Sequence, residues 1–139
     1  MFSHSTPIRI HYALTDQMGV VYHGHYAQFF EIARTESIRS LGFSYKMLEE
    51  TGIMMPVVDM HTRFLKPVRY DELITVTVML RELPQQHKVT FYGEIHNEAG
   101  ELCTAGTVTL YFIDMKTLKK AHMPAAMLEK LEGFFEQKG

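Results

Sequence analysis

The sequence predicts an α+β fold: a five-stranded antiparallel sheet laid against one long helix. From Tyr26 to Leu41, apolar residues recur at three- and four-residue spacing, the mark of an amphipathic helix. From Ile53 to Ile113 almost every segment reads as strand, alternating or continuously apolar and rich in β-branched residues. A shorter amphipathic stretch closes the chain. Helix against one face of an antiparallel sheet is the layer arrangement that buries both.

In chain order, "PIRIHY" (7–12) alternates apolar and polar residues and predicts a half-buried strand. The loop "TDQMGVVYHGHY" (15–26) follows, with Gly19 at its turn. In the long helix Tyr26, Phe29, Phe30, Ala33, Ile38 and Leu41 form the dry stripe, while Glu31, Arg34, Glu36 and Arg39 take the wet side. Gly42 is its C-cap. A short helix occupies Ser44 to Glu50, capped by Ser44 and ended by Gly52. The strand segments are "MPVVDMHTRFLKPV", broken at Pro67, then "LITVTVMLREL" and "KVTFYGEIHN". After a hairpin turn at "NEAGE", "LCTAGTVTLYFID" returns as a largely apolar central strand. "MPAAMLEKLEGFFEQ" is the closing helix, with Pro124 in its first turn.

At 139 residues the chain fits one domain, 1–139, with a single sizeable core. Hydrophobic residues make up 46% and charged residues 22%, ordinary for a globular domain. A net charge of −2 provides no basic field for nucleic acid. The single cysteine, Cys103, has no internal partner for a disulfide, which suits a reducing compartment. "MFSHSTPIRI" has no apolar core of signal-peptide length, and no run approaches the roughly 18 apolar residues of a membrane span. The expectation is a cytoplasmic protein without integral membrane association. The ten methionines are gap fillers or soft lining for an apolar ligand.

The chemistry concentrates in "TDQMGVVYHGHY". Alone, an aspartate ahead of a helix is a cap or turn residue. Here Asp16 stands a few residues before the first amides of a helix, which have no intrahelical partner and lie at the positive end of its dipole. Such amides can stabilise negative charge that develops on an oxygen placed near them.

The order strand, "TD", short loop, "GVVYHGHY", long helix resembles the hotdog-fold acyl-CoA thioesterases. It is most similar to the 4-hydroxybenzoyl-CoA thioesterase family and, within it, the bacterial Tol-Pal-associated branch. "FFEIARTESIRSLG", "RFLKPVRYDELITV" and "NEAGELCTAGTVTLYFID" extend the resemblance over nearly the whole chain. It implies a sheet wrapped around the central helix and hydrolysis of an acyl thioester to free acid and CoA. The carboxylate at Asp16 acts as nucleophile or general base, and the N–H of His23 as oxyanion donor. Gly19 admits close approach of substrate, and Val20, Val21 and Tyr22 complete the substrate-binding stretch. No cofactor is implied. A tryptophan-tyrosine pair of the 4-hydroxybenzoyl enzyme is Tyr22-His23 here, as in the Tol-Pal-associated branch. The imidazole of His23 either handles a proton or holds the site together.

Tyr26 and Phe30, with Val57, Val58 and Met60 of a partner's strand, are expected to line an apolar acyl slot between protomers. The anionic end of coenzyme A favours cations. The turn that carries a basic cluster in the 4-hydroxybenzoyl enzyme offers His87 and Lys88 here, with Lys66 and Arg69 as alternatives. Delivery by coenzyme A or by an acyl carrier protein both remain open. His23 and His25 stand two apart, which on a helix points them to different sides, and no cysteine cluster or HExxH accompanies them, so no metal is expected. The scattered His4, His11, His61, His87, His96 and His122 are read as solvated or structurally bonded.

Five strands leave an edge, best assigned to Val57–Phe64, and pairing it with its copy predicts a homodimer with a continuous sheet, or a tetramer built from it. Two other functions compete with hydrolysis. One is a hotdog dehydratase or hydratase; the other is a non-catalytic module that binds acyl thioesters or an acyl carrier protein.

Overall fold

The computed structural model describes residues 1–135. Its main sheet has five antiparallel strands: β1 (Phe2–Arg9), β3 (Val57–Phe64), β4 (Leu73–Leu80), β5 (Lys88–His96) and β6 (Leu102–Tyr111), in the order β1-β4-β5-β6-β3. The helix α1 (Tyr26–Ser40) packs on one face, followed by α2 (Tyr45–Glu50). A minor two-stranded sheet joins β2 (Ile53–Met54) to β7 (Ile113–Asp114), and α3 (Ala125–Glu132) follows.

Alternation sets the inner face. Ile74, Val76, Val78 and Leu80 of β4 and Val89, Phe91 and Ile95 of β5 are buried. Against them α1 presents Tyr26, Phe29, Phe30, Ala33 and Ile38, the predicted dry stripe. Each fully buried Phe or Ile contributes about 1.5–3 kcal/mol of transfer free energy, so this seam is the main source of cohesion. The Ser44 hydroxyl accepts from the Met47 N–H at 3.1 Å, the expected cap of α2.

Several expectations need correction. The first strand runs Phe2–Arg9 rather than 7–12, because the alternation already begins at Phe2. It turns His4 and Thr6 inward, where His4 Nδ1 and Thr6 Oγ1 are buried with no hydrogen-bond partner among the described residues, so His4 is not a solvated histidine. The segment "LCTAGTVTLYFID" divides at Phe112 into β6 and β7, and β6 lies between β5 and β3, leaving β5 at the centre. Arg34 does not take the wet side: it is 6% exposed, and its Nε donates to the Tyr45 hydroxyl at 2.9 Å. A neighbouring helix, α2, roofs this position, which helical periodicity alone cannot reveal. The closing helix starts after Pro124, which sits at the N-cap, and ends at Glu132; the predicted extension through Glu136 and Gln137 lies outside the described residues.

The edge assignment holds: β3 pairs only with β6 among the described strands. Its exposure is unusual for a strand, since Val57, Val58, Met60 and Phe64 are each roughly half exposed. No helix of the described residues is long and apolar enough to cross a membrane.

Candidate active site

The loop before α1 is held by main-chain bonds to its neighbours. The Asp16 N–H donates to the Val20 carbonyl at 2.9 Å and the Gly19 N–H to the Asp16 carbonyl at 3.0 Å. Gly19 closes this turn with φ +79°, a region open to glycine without a steric cost. Val20 bridges to Arg69, and the Val21 N–H donates to the Val68 carbonyl at 2.7 Å. The predicted loop is therefore clamped to the segment entering β4.

Within this frame the Asp16 carboxylate is partly buried. Its Oδ1 accepts from the Met18 N–H at 2.8 Å, an Asx turn. One oxygen thus holds the loop. Asp16, Val20, Val21, His23, Tyr26 and Lys66 border one open cleft of about 340 Å³, along with Phe64, Leu65 and Pro67.

The helix begins differently from a plain α-helical start. A 3-10 turn, His23–His25, precedes Tyr26. The His25 N–H donates to the Tyr22 carbonyl at 3.0 Å, whereas no acceptor among the described residues takes the N–H of His23 or Gly24. The free amides thus belong to the 3-10 turn rather than to α1. A Cβ at Gly24 would lie 2.5 Å from the Tyr22 ring, so a larger residue here displaces that half-exposed ring. The His23 ring packs on Tyr22 at 4.5 Å and meets Phe64 edge-on at 6.3 Å. No hydrogen bond among the described residues joins it to Asp16. His25 lies 5.8 Å from the Tyr22 ring. No group of three or more His, Cys, Asp or Glu among the described residues could hold a metal.

Phe64 is the residue that sequence reasoning missed. Its ring stands edge-on to Tyr26 at 5.0 Å and forms the cleft wall opposite the helix. The signal was available: Met60, Thr62 and Phe64 alternate, so all three face α1. Burial raises the Tyr26 phenol above its ordinary value, keeping it protonated at neutral pH.

Farther along the same seam lies a second hollow, an apolar cavity of about 160 Å³. Phe30 and Arg34 line it from α1, and Val57, Met60 and Thr62 from β3. Tyr26 borders the cleft and Phe30, about one helical turn further on, borders the hollow; the two share no lining residue. This chain's own Val57 and Met60, with Phe30, border that hollow. Val58, at the register shift of β3, borders neither hollow.

The candidate cations separate. Lys66 is in the cleft, but its ammonium donates to Glu101 Oε2, and that carboxylate also accepts from Asn97 at 3.0 Å. The Lys66–Glu101 hydrogen bond is the main cause of the raised lysine pKa and of the lowered glutamate pKa. Arg69 flanks the cleft through its bridge to Val20. His87 and Lys88 border a different, polar hollow at the β4–β5 turn that shares no residue with the cleft. Desolvation, then the charge of Lys120, lowers the His87 pKa, so its imidazole is neutral at pH 7 and a weak anion contact.

A family model, the thioesterase-like superfamily, matches residues 10–131. The acyl-CoA thioesterase YbgC of Haemophilus influenzae is 38% identical over 121 residues, covering 86% of this chain and 88% of that protein. A DHNA-CoA thioesterase from Staphylococcus aureus superposes with a TM-score of 0.85 at 33% identity, over 99% of this chain and 98% of its own. Slr0204 of Synechocystis, a 1,4-dihydroxy-2-naphthoyl-CoA thioesterase, gives 0.88 at 20% identity over 97% and 99%, a likeness of fold. With this sheet and helix, and with these matches along almost its full length, the chain belongs to the thioesterase-like superfamily and has the hotdog fold.

Proposed function

We propose that the protein is an acyl-CoA thioester hydrolase in which Asp16 is the nucleophile or general base. The observation that carries this reading is the cleft beside the 3-10 turn. It gathers a carboxylate with one oxygen free of internal bonds and borders His23, whose N–H has no acceptor. A thioester carbonyl is electrophilic and its thiolate leaves readily, so these two parts suffice without a cofactor. In the first step the carboxylate, or a water it deprotonates, adds to the carbonyl carbon. The His23 N–H receives the charge on oxygen, and collapse expels the CoA thiolate. The His23 imidazole packs at a tilt against Tyr22 and makes no hydrogen bond to Asp16 among the described residues, which favours an orienting role over proton transfer.

Lys66 and Arg69, at the cleft, are the contacts for the nucleotide end of coenzyme A. Pairing of exposed β3 edges would join two protomers and cover Val57, Val58 and Met60. "GVVYH" supports placement near the Tol-Pal-associated branch. Release of thiol from acyl-CoA esters tests the reading. Turnover that disappears in Asp16→Asn is expected. Binding of a thioether analogue with no thiol released from any ester would instead mark a non-catalytic acyl-thioester module.

A further inference from the structure

Among the described residues that line the Asp16 cleft, Lys66 is the only lysine or arginine and Asp16 the only carboxylate. The pull of this cleft on an anion therefore depends on what else holds Lys66. Its main chain is fixed: the Leu65 and Lys66 N–H groups both donate to the Cys103 carbonyl, at 2.8 and 3.0 Å. Its ammonium donates to Glu101 Oε2. Glu101 is anchored independently of that lysine. Asn97 Nδ2 donates to its Oε1 at 3.0 Å, and its own N–H donates to Asn97 Oδ1 at 2.9 Å. The Asn97 N–H closes the turn by donating to the Glu101 carbonyl at 3.1 Å. The hairpin between β5 and β6 thus keeps a carboxylate beside the cleft whether or not Lys66 stays with it.

An ammonium has three N–H donors, and Glu101 takes one. The others can reach a phosphate oxygen without breaking the pair, but that phosphate then meets a second anion. Two carboxylates, Asp16 and Glu101, stand around one ammonium. We infer that Glu101 is a specificity residue that weakens the hold of Lys66 on phosphate-bearing thiol carriers, on the acyl-CoA substrate and on released coenzyme A alike. This inference rests on the hydrolase reading with its Lys66 contact, and deepens it by naming the residue that opposes that contact. Both side chains are about half exposed, so the repulsion acts through water. One unit charge about 4 Å away in water changes an affinity about fivefold. Glu101 does not line the cleft, so it acts on ground and transition state alike, and its effect falls on KM rather than kcat.

The test measures binding of free coenzyme A by calorimetry in the parent, Glu101→Gln and Lys66→Gln, at low and high salt. Glu101→Gln keeps an acceptor for Asn97 and should bind coenzyme A about fivefold more tightly at low salt, with the gain shrinking at high salt. Lys66→Gln should weaken binding. KM for acyl-CoA esters should follow both changes, whereas KM for the N-acetylcysteamine esters of the same acids, which carry no phosphate, should follow neither. Unchanged or weaker coenzyme A binding by Glu101→Gln overturns the inference, as does a parallel shift on both kinds of ester, which would mark only a loosened hairpin. Unchanged binding by Lys66→Gln removes the lysine contact and the inference with it. If no ester is hydrolysed, the hydrolase reading fails, and the coenzyme A affinities still decide the role of Glu101.

Discussion

Asp16 has two duties that a pair of substitutions can separate. Its Oδ1 accepts the Met18 N–H at 2.8 Å, and asparagine retains an acceptor at that position while losing charge and nucleophilicity. Asp16→Asn should therefore leave stability within about 0.5 kcal/mol of the parent. Asp16→Ala also removes the turn bond, worth about 1 kcal/mol for a partly exposed cap. For a domain of this size that is a fall in Tm of roughly 3–5 °C, between the values for smaller and larger domains. On activity the two should coincide. A positioned base contributes about 10²- to 10⁴-fold, equivalent to about 2.7–5.4 kcal/mol of barrier, and both variants forfeit it. Thiol release under kcat/KM conditions, paired with thermal melts, reads both effects. An Asp16→Asn protein that keeps more than a tenth of parental turnover would refute the catalytic role. Activity loss that follows the melting temperature would reduce Asp16 to a turn residue.

Removing the hydroxyl that receives Arg34 Nε, by Tyr45→Phe, leaves a buried guanidinium without that acceptor and should cost about 1.5–3 kcal/mol in urea unfolding. The Lys66–Glu101 pair should give a pH signature. The folded Glu101 pKa is depressed, so its contribution is present above the unfolded value near pH 4.3 and is lost as pH falls through the folded one. The Lys66 pKa is raised, so its contribution is present below about pH 10.4 and lost as pH rises through the folded value. The Tm gap between parent and Glu101→Gln should therefore be widest at neutral pH and close at both extremes; a gap independent of pH would refute the pairing. Sedimentation at micromolar concentration should give twice the 16.1 kDa chain mass or a multiple of it, and a single-chain mass would exclude β3 pairing.

What the sequence revealed and what it hid divide along a physical line. Periodicity reports burial by the element's own sheet or helix stripe, so α1, its dry residues and the β3 edge were legible. It does not report burial by an element packed from elsewhere, and so Arg34 under α2 was read as solvated. The motif around Asp16 located the acid and the amides. Their assignment to a 3-10 turn depends on hydrogen bonds that residue types do not specify. The alternation of Phe64 with Met60 and Thr62 was legible, but its contact with Tyr26, 38 positions away in the chain, is made only in the folded seam.

The bare margin along Val57–Phe64 has a consequence beyond the site it borders. A row of unmet main-chain groups flanked by greasy side chains does not discriminate well among extended peptides. The same margin that would welcome a twin also invites wrong neighbours while the chain is newly made. Crowded overproduction thus favours edge-to-edge polymers, which the proposed pairing of β3 with its own copy would block.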